Sequence, residues 1–85
     1  MNTFKLRVTS PDGDQYSGDI VMLSLRGTEG ELAIMAGHIP FVTAVKPCKL
    51  KVETEEDEFF AEIGGGLLSV SAEETVLLSS DYKKI

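Results

Sequence analysis

Apolar and polar side chains alternate with a period of two along much of this chain, and this pattern limits the possible folds more than any other feature. Segments 4–9 and 48–53 show the alternation most clearly. No stretch of roughly ten or more residues has apolar side chains at the i, i+3, i+4 and i+7 spacing of an amphipathic helix. The sequence therefore predicts β-strands and no substantial helix.

Turn-forming residues divide the chain into short strands. Segment 10–14, Ser-Pro-Asp-Gly-Asp, is typical of a tight turn between a strand at 4–9 and a returning strand through 15–17. Three successive glycines at 64–66 predict a bend or bulge. Loops are expected at 27–31 and 36–38, and a charged hairpin tip at 54–58. The remaining strands are predicted at 19–26, 32–35, 41–45, 48–53, 59–63, 67–70 and 76–79.

Short strands at this spacing are typical of all-β sandwiches and barrels. A chain of 85 residues buries only about 60% of its unfolded surface, which supports a single core. We therefore expect one domain over residues 1–85. The predicted architecture is a two-sheet β-sandwich of short, mostly antiparallel strands.

The charge and composition of the chain exclude several classes of partner. Fourteen acidic and eight basic residues give a net charge of −6, which repels nucleic acids and anionic lipids. The apolar run at 20–23 is far shorter than the roughly 20 residues that span a bilayer, and the N-terminal segment has no signal-peptide core. Cys48, the single cysteine, fits a reducing compartment. We expect a protein partner and a cytoplasmic location.

Residues with catalytic or metal-binding chemistry form no convincing site. His38 lies near Glu29 and Glu31, but a loop with two glycines and no second histidine gives metal ligands no fixed geometry. We favour a structural role for His38 in its turn. No serine or cysteine has the surroundings of an activated nucleophile, and no Lys-Ser/Thr pair follows the triple glycine as in a phosphate-binding loop. We expect no catalytic residue, metal or cofactor, and ATP affinity no tighter than millimolar.

Several strands carry apolar residues on both faces. Each strand of a two-sheet sandwich needs only one apolar face, which packs against the core. The surplus apolar residues therefore predict a protein-binding surface. At least one of Val21, Phe60 and Leu77 should be exposed in the isolated domain. The candidate contact residues are Val21, Leu23, Phe60, Leu67 and Leu77.

In order along the chain, these motifs resemble the N-terminal β-sandwich domain of the ATP synthase epsilon subunit. The most specific match is segment 27–40, Gly-Thr-Glu-Gly-Glu-Leu-Ala-Ile-Met-Ala-Gly-His-Ile-Pro. The family has a glycine-bounded loop there, then Gly-Glu-Leu-Gly-Ile/Val and Pro-Gly-His-Ala-Pro. Further matches lie at 4–12, 16–18, 43–47, 65–66 and 76–81. The departures are Arg26 at a frequent proline, Ala33 and Ala36 at a usual glycine and proline, and Cys48 at a usual glycine.

The resemblance implies a non-catalytic rotor subunit of a proton- or sodium-translocating F-type ATP synthase. Such a subunit links the γ subunit to the membrane ring of c subunits and transmits rotation for ATP synthesis. It would lie at the cytoplasmic face of a bacterial plasma membrane, peripherally and without a membrane span. The surplus apolar residues would contact γ. The residues implied to face the polar loops of the c-ring are Gly27, Glu29, Gly30, Glu31, Gly37, His38 and Pro40.

Typical members of the family continue into a helical hairpin that can inhibit ATP hydrolysis. The sequence ends at 82–85, so we expect that hairpin to be absent. Two other functions remain open: a free-standing β-sandwich adaptor for protein binding, and a small metal-dependent enzyme built on His38. Co-purification with γ tests the first alternative, and metal analysis tests the second.

Overall fold

A computed structural model of the chain describes residues 2–27, 30–37 and 39–85. Within these ranges the chain forms ten β-strands and no helix, which confirms the predicted all-β class. The strands are β1 (Phe4–Ser10), β2 (Gly13–Ile20), β3 (Met22–Gly27), β4 (Gly30–Met35), β5 (Phe41–Val45), β6 (Cys48–Glu53), β7 (Glu58–Ile63), β8 (Gly66–Val70), β9 (Thr75–Ser79) and β10 (Tyr82–Lys84).

The strands form a two-layer β-sandwich, as predicted. The first layer has the order β10-β7-β6-β3-β4, and the second has the order β5-β8-β9-β1-β2. Neighbouring strands are antiparallel except for the parallel pair β1 and β9. Strand β3 joins the layers, because it pairs with β4 and β6 in the first layer and its last residue, Gly27, pairs with Val45 of β5.

Aliphatic side chains from both layers fill the space between them. Burying each large side chain of this kind contributes about 1.5–3 kcal/mol relative to leaving it in water. The edge of the Tyr16 ring packs on Phe59, with 5.2 Å between ring centroids, and closes the side where β2 approaches β7. The buried core residues are Leu6, Val8, Ile20, Leu23, Leu25, Ile34, Val45, Leu50, Val52, Ala61, Ile63, Leu68, Val70 and Leu77.

The predicted single strand at 19–26 is wrong, because the chain turns a corner inside it. Ile20 ends β2, Val21 is a bend, and Met22 begins β3. The Val21 amide donates a hydrogen bond to the Glu53 carbonyl oxygen at 2.6 Å, which ties the corner to the end of β6. The apolar run that suggested a strand covered on both faces is therefore shared between two strands in different layers.

The sequence did not predict β10, which is short and polar. Tyr82 pairs with Ile63 and Lys84 pairs with Ala61, so β10 extends the first layer beyond β7. The Lys84 ammonium lies 4.8 Å from the centre of the Phe59 ring. A three-residue strand of this composition is held by its neighbours, and its own residues carry no period-two signal.

The predicted bend at the triple glycine is confirmed. Gly64 and Gly65 connect β7 to β8, and the Asp81 carboxylate accepts a hydrogen bond from the Gly64 amide. Gly66 begins β8 so close to β9 that an added Cβ would collide with the Leu78 carbonyl oxygen. A residue without a side chain is required at that position.

The turns of the sandwich lie at two opposite ends. At the glycine end, Gly27 pairs with Gly30 and Gly66 pairs with Val45. The loop predicted at 27–31 is therefore shorter, and Thr28 and Glu29 lie outside the described residues. At the other end, here called the acidic end, Glu53 pairs with Glu58 across the charged tip.

Candidate protein-binding surfaces

The outer side of the second layer carries exposed aliphatic side chains. Val42 is 63% exposed, Leu67 42% and Leu78 47%. Strand pairing places Ala44, Leu67 and Leu78 in one row across β5, β8 and β9, and Val42, Ser69 and Val76 in the next row. We call this surface the apolar face; it comprises Val42, Ala44, Leu67, Ser69, Val76 and Leu78.

The apolar face carries little charge. In the same two rows β1 contributes Thr9 beside Leu78, and Arg7 beside Val76. Arg7 is the only charged residue that β1 adds to these rows, and its guanidinium lies 3.7 Å from the Glu74 carboxylate. One strand further out, β2 adds Asp14 beside Thr9. An uncharged aliphatic surface in a chain of net charge −6 is typical of a protein-binding site.

The outer side of the first layer has the opposite character. Lys51 lies 3.3 Å from Glu58 and 3.9 Å from Glu53, and the Lys49 ammonium lies 4.9 Å from the centre of the Phe60 ring. Paired charges on a water-facing sheet each contribute about 1 kcal/mol or less. This side is a solvated surface of mixed charge.

A concavity of about 590 Å³ lies on the first layer, where β6 diverges from β3. Arg26 lines it, and the guanidinium lies 3.2 Å from the Glu31 carboxylate. Lys51 also lines it and pairs with Glu58. Carboxylates of the chain thus pair with two cations of the lining, and the third, Lys49, lies over the Phe60 ring.

The structure separates the five predicted γ-contact residues. Leu23 and Leu77 are fully buried in the core, so they cannot contact a partner, and their selection was wrong. Val21 and Phe60 are half-buried and Leu77 is buried, so the prediction that one of these three is exposed is wrong. Val21 and Phe60 also lie away from the apolar face, at the corner before β3 and on the first layer. Leu67 alone of the five lies on the apolar face.

Two exposed members of the apolar face, Val42 and Leu78, were missed by the sequence interpretation. Val76, Leu77 and Leu78 are all apolar, so the run itself does not show which of them faces inward. The pairing of Leu77 with Val8 and Leu68 shows that Leu77 is the one that faces inward. The sequence does contain a usable signal in β1, where Leu6 and Val8 alternate with polar residues. That alternation shows which side chains of β1 face inward.

Five of the residues implied to face the c-ring are described by the structure, and they do not form one surface. Gly27, Gly30 and Glu31 lie at the glycine end, whereas Gly37 and Pro40 follow the far end of β4. A six-residue strand such as β4 is roughly 17 Å long, so the two groups lie at opposite ends of the sandwich. Glu31 is exposed, and its carboxylate pairs with Arg26.

Glu29 and His38 lie outside the described residues, so their proposed roles remain predictions. Among residues 2–27, 30–37 and 39–85, no group of three or more His, Cys, Asp or Glu side chains is arranged to bind a metal ion. None of the described residues forms a helix with the length and apolarity needed to cross a membrane.

The clearest electrostatic perturbation lies between the layers, at the edge closed by Tyr16. Burial raises the pKa of the Tyr16 hydroxyl above its ordinary value of 10.0, and the negative charge of Asp19 raises it further. Burial also raises the pKa of Tyr82, with a second contribution from Tyr16. Both tyrosines are therefore neutral at physiological pH and serve as packing residues.

The fold is a two-layer β-sandwich with exposed aliphatic side chains on the outer side of its second layer. A family model described as the ATP synthase delta/epsilon chain, β-sandwich domain, matches residues 3–84. The chain belongs to this family.

Curated relatives agree with the family match. The chain is 38% identical over 80 residues to the ATP synthase epsilon chain of Psychrobacter cryohalolentis and 34% identical over 79 residues to that of Bacillus velezensis. In both comparisons the match covers 93% of this chain, but only 58% and 60% of the relative. The chain thus spans about three fifths of the length of the curated relatives it matches.

Solved structures share the fold. A chain of the Euglena gracilis mitochondrial ATP synthase, described as OSCP/F1/c-ring in rotational state 1, superposes with a TM-score of 0.90 at 24% identity. The match covers 96% of this chain and 53% of that one. A chain of the Tetrahymena thermophila mitochondrial ATP synthase, described as central stalk/c-ring, gives a TM-score of 0.82 at 15% identity and covers 95% and 66%.

Proposed function

We propose that this chain is the β-sandwich of a non-catalytic central-stalk subunit in a proton- or sodium-translocating F-type ATP synthase. In this role it holds the γ subunit to the ring of c subunits and transmits rotation between them. The family match supports the assignment, because the relatives are ATP synthase epsilon chains. The assembly would place the chain peripherally at the cytoplasmic face of a bacterial membrane.

The apolar face is the observation that carries this proposal. Val42, Leu67 and Leu78 are exposed side by side on a sheet whose inner side already fills the core. Burying apolar surface contributes roughly 25 cal/mol per Å², so covering this face with another protein is favourable. We assign the apolar face to the γ contact.

The ring contact belongs to the glycine end in this proposal. Glu31 and Gly30 lie there, and the resemblance assigns both to the polar loops of the c-ring. The proposal leaves Gly37 and Pro40 out of that contact, because they follow the opposite end of β4. Glu29, which lies between Gly27 and Gly30 in the sequence, keeps the role that the resemblance implies, whereas His38 directly follows Gly37 and is left out with it.

Transmission of torque requires a stiff body between two contact surfaces. The apolar face lies on the side of the sandwich, and the glycine end lies at the termini of β3, β5 and β9. Paired strands and a close-packed core connect the two surfaces directly. A force applied at one surface therefore reaches the other without passing through a flexible hinge.

A binding measurement with purified γ subunit from the same genome tests the proposal. The 85-residue chain should bind γ, and a variant with Val42→Asp and Leu78→Asp should bind at least about 30-fold more weakly. The matched control carries Ala33→Asp and Met35→Asp, which add the same charge to exposed positions of β4 in the first layer.

The control variant should bind γ within about threefold of the unmodified chain. Absence of γ binding by the unmodified chain would contradict the proposal and favour the free-standing adaptor. Equal binding by both double variants would contradict the assignment of the apolar face.

A further inference from the structure

The concavity on the first layer begins where two neighbouring strands separate. The last residues that pair between β3 and β6 are Ser24 and Lys51. Beyond that point β3 turns towards the second layer, where Gly27 pairs with Val45. The two strands therefore leave a gap in the sheet. This gap forms the concavity of about 590 Å³, here called the strand cleft.

Two cations lie on opposite sides of the strand cleft. If β3 and β6 stayed paired for two more residues, Arg26 would stand directly opposite Lys49. Like charges directly opposite each other destabilise a sheet, and the separation of the strands relieves this repulsion. Lys51 adds a third cation to the lining, which has one carboxylate among its described residues, that of Glu31. In a chain with eight basic and fourteen acidic residues, this local excess of positive charge favours an anionic ligand.

The contacts around the strand cleft leave hydrogen-bond donors for such a ligand. One guanidinium nitrogen of Arg26 lies 3.2 Å from a carboxylate oxygen of Glu31, and a guanidinium has five N–H donors. The Lys49 ammonium lies 4.9 Å from the centre of the Phe60 ring, and within the described parts of the chain it forms no ion pair. An anion between Arg26 and Lys49 would therefore gain hydrogen bonds without first breaking an ion pair.

The floor of the strand cleft is apolar. Leu25 of β3 is buried, Leu32 of β4 is half-buried, and Pro47 lies just before β6. Small-molecule sites typically have volumes of roughly 300–1,000 Å³ and combine an apolar lining with a few polar groups. The strand cleft has this size and composition, so it suits a ligand that has an apolar body as well as a negative charge.

We propose that the strand cleft binds a small organic carboxylate. The carboxylate lies between Arg26 and Lys49, and a short hydrocarbon body covers Leu25 and Leu32. A planar carboxylate matches the guanidinium group, which can bind it through two parallel hydrogen bonds. An inorganic anion would contact the same cations and leave the apolar floor in water. The site lies on the first layer, apart from the apolar face, and does not depend on γ binding.

An NMR titration of the 85-residue chain with sodium hexanoate tests the site. Hexanoate has one carboxylate and a short apolar chain, and it should bind with a Kd below about 5 mM. Signals of Leu25, Leu32 and Ala33 should shift, while those of Val42 and Leu78 on the apolar face should stay unchanged. The neutral probe 1-hexanol keeps the hydrocarbon and lacks the charge, so it should bind at least about tenfold more weakly.

A double variant with Arg26→Gln and Lys49→Gln should bind hexanoate at least about tenfold more weakly than the unmodified chain. The matched control carries Lys5→Gln and Lys83→Gln, which remove the same charge from β1 and β10, and it should bind within about twofold. All four positions are exposed, so both variants should fold, and thermal unfolding checks this.

Three results would refute the carboxylate site. The first is the absence of any shift in the unmodified chain at ten times the expected Kd. The second is equal affinity for hexanoate and 1-hexanol, which would mean that the cations do not bind the carboxylate. The third is equal affinity of the two double variants for hexanoate. Each of these results would leave the proposed function untouched, because none of them involves γ.

Discussion

Leu77 and Leu78 are adjacent in the sequence and occupy opposite environments. Leu77 is fully buried between Val8 and Leu68, whereas Leu78 is 47% exposed on the apolar face. The two residues therefore serve different purposes in one strand: Leu77 contributes to the core, and Leu78 contributes to the surface that we assign to γ.

Alanine substitutions at these two positions should separate stability from binding. Leu77→Ala removes buried methyl groups and leaves a cavity, so it should lower the free energy of unfolding by about 2–5 kcal/mol. Leu78→Ala removes an already exposed side chain and should cost about 1 kcal/mol or less. Chemical denaturation of both variants checks this, and equal losses would contradict the assigned orientation of β9.

The close approach of β8 and β9 should make Gly66 intolerant of a side chain. Gly66→Ala places a methyl group against the Leu78 carbonyl oxygen, so one backbone must shift, at an expected cost of about 2 kcal/mol or more. Ser69→Ala is the control in the same strand and should change stability by about 0.5 kcal/mol. A Gly66→Ala variant as stable as the control would show that the strands can separate without penalty.

The raised pKa values of Tyr16 and Tyr82 predict a loss of stability in alkali. The folded domain holds these protons more tightly than the unfolded chain. The free energy of unfolding therefore falls as the pH rises above about 10. Tyr82→Phe keeps the ring and removes the titrating hydroxyl, so its stability should fall less between about pH 9 and pH 11.

Denaturation curves of the two proteins across this pH range provide the measurement. The comparison with Tyr82→Phe isolates the contribution of the Tyr82 hydroxyl. Parallel stability profiles for the unmodified chain and the variant would mean that Tyr82 has an ordinary pKa in the folded domain.

Glu31 should affect coupling without affecting folding. Its carboxylate is exposed and pairs with Arg26, and such pairs contribute about 1 kcal/mol or less. Glu31→Ala should therefore leave thermal unfolding nearly unchanged and weaken ATP-driven ion pumping by the assembled enzyme. Arg26→Ala breaks the same pair and keeps the carboxylate, so it is the control. Equal loss of pumping in both variants would assign the effect to the ion pair.

Much of the fold was predictable, because the alternation of apolar and polar residues in most strands shows which side chains face the core. β5 occupies Phe41–Val45 as predicted, and the triple glycine forms the predicted bend. The corner at Val21 was not predictable, because an apolar run looks the same whether one strand or two contain it. The polar strand β10 depends on its pairing with β7, which local sequence does not show.

The candidate surfaces were less predictable than the fold. A surplus of apolar residues correctly indicated exposed positions such as Leu67, but the phase within the runs was ambiguous and led to Leu23 and Leu77. The sequence interpretation treated the glycine-rich segment 27–40 as one functional loop, but β4 divides this segment between two ends of the sandwich. Which residues share a surface depends on strand pairing between distant segments.

A methyl NMR titration of the 85-residue chain with purified γ subunit tests the central claim most directly. Methyl groups of exposed residues report a new contact at the residue where it forms. Signals of Val42, Leu67, Val76 and Leu78 should shift or broaden on binding, while those of Ala33 and Met35 on the first layer should stay unchanged. Perturbation confined to Ala33 and Met35, with the four apolar-face residues unaffected, would contradict it.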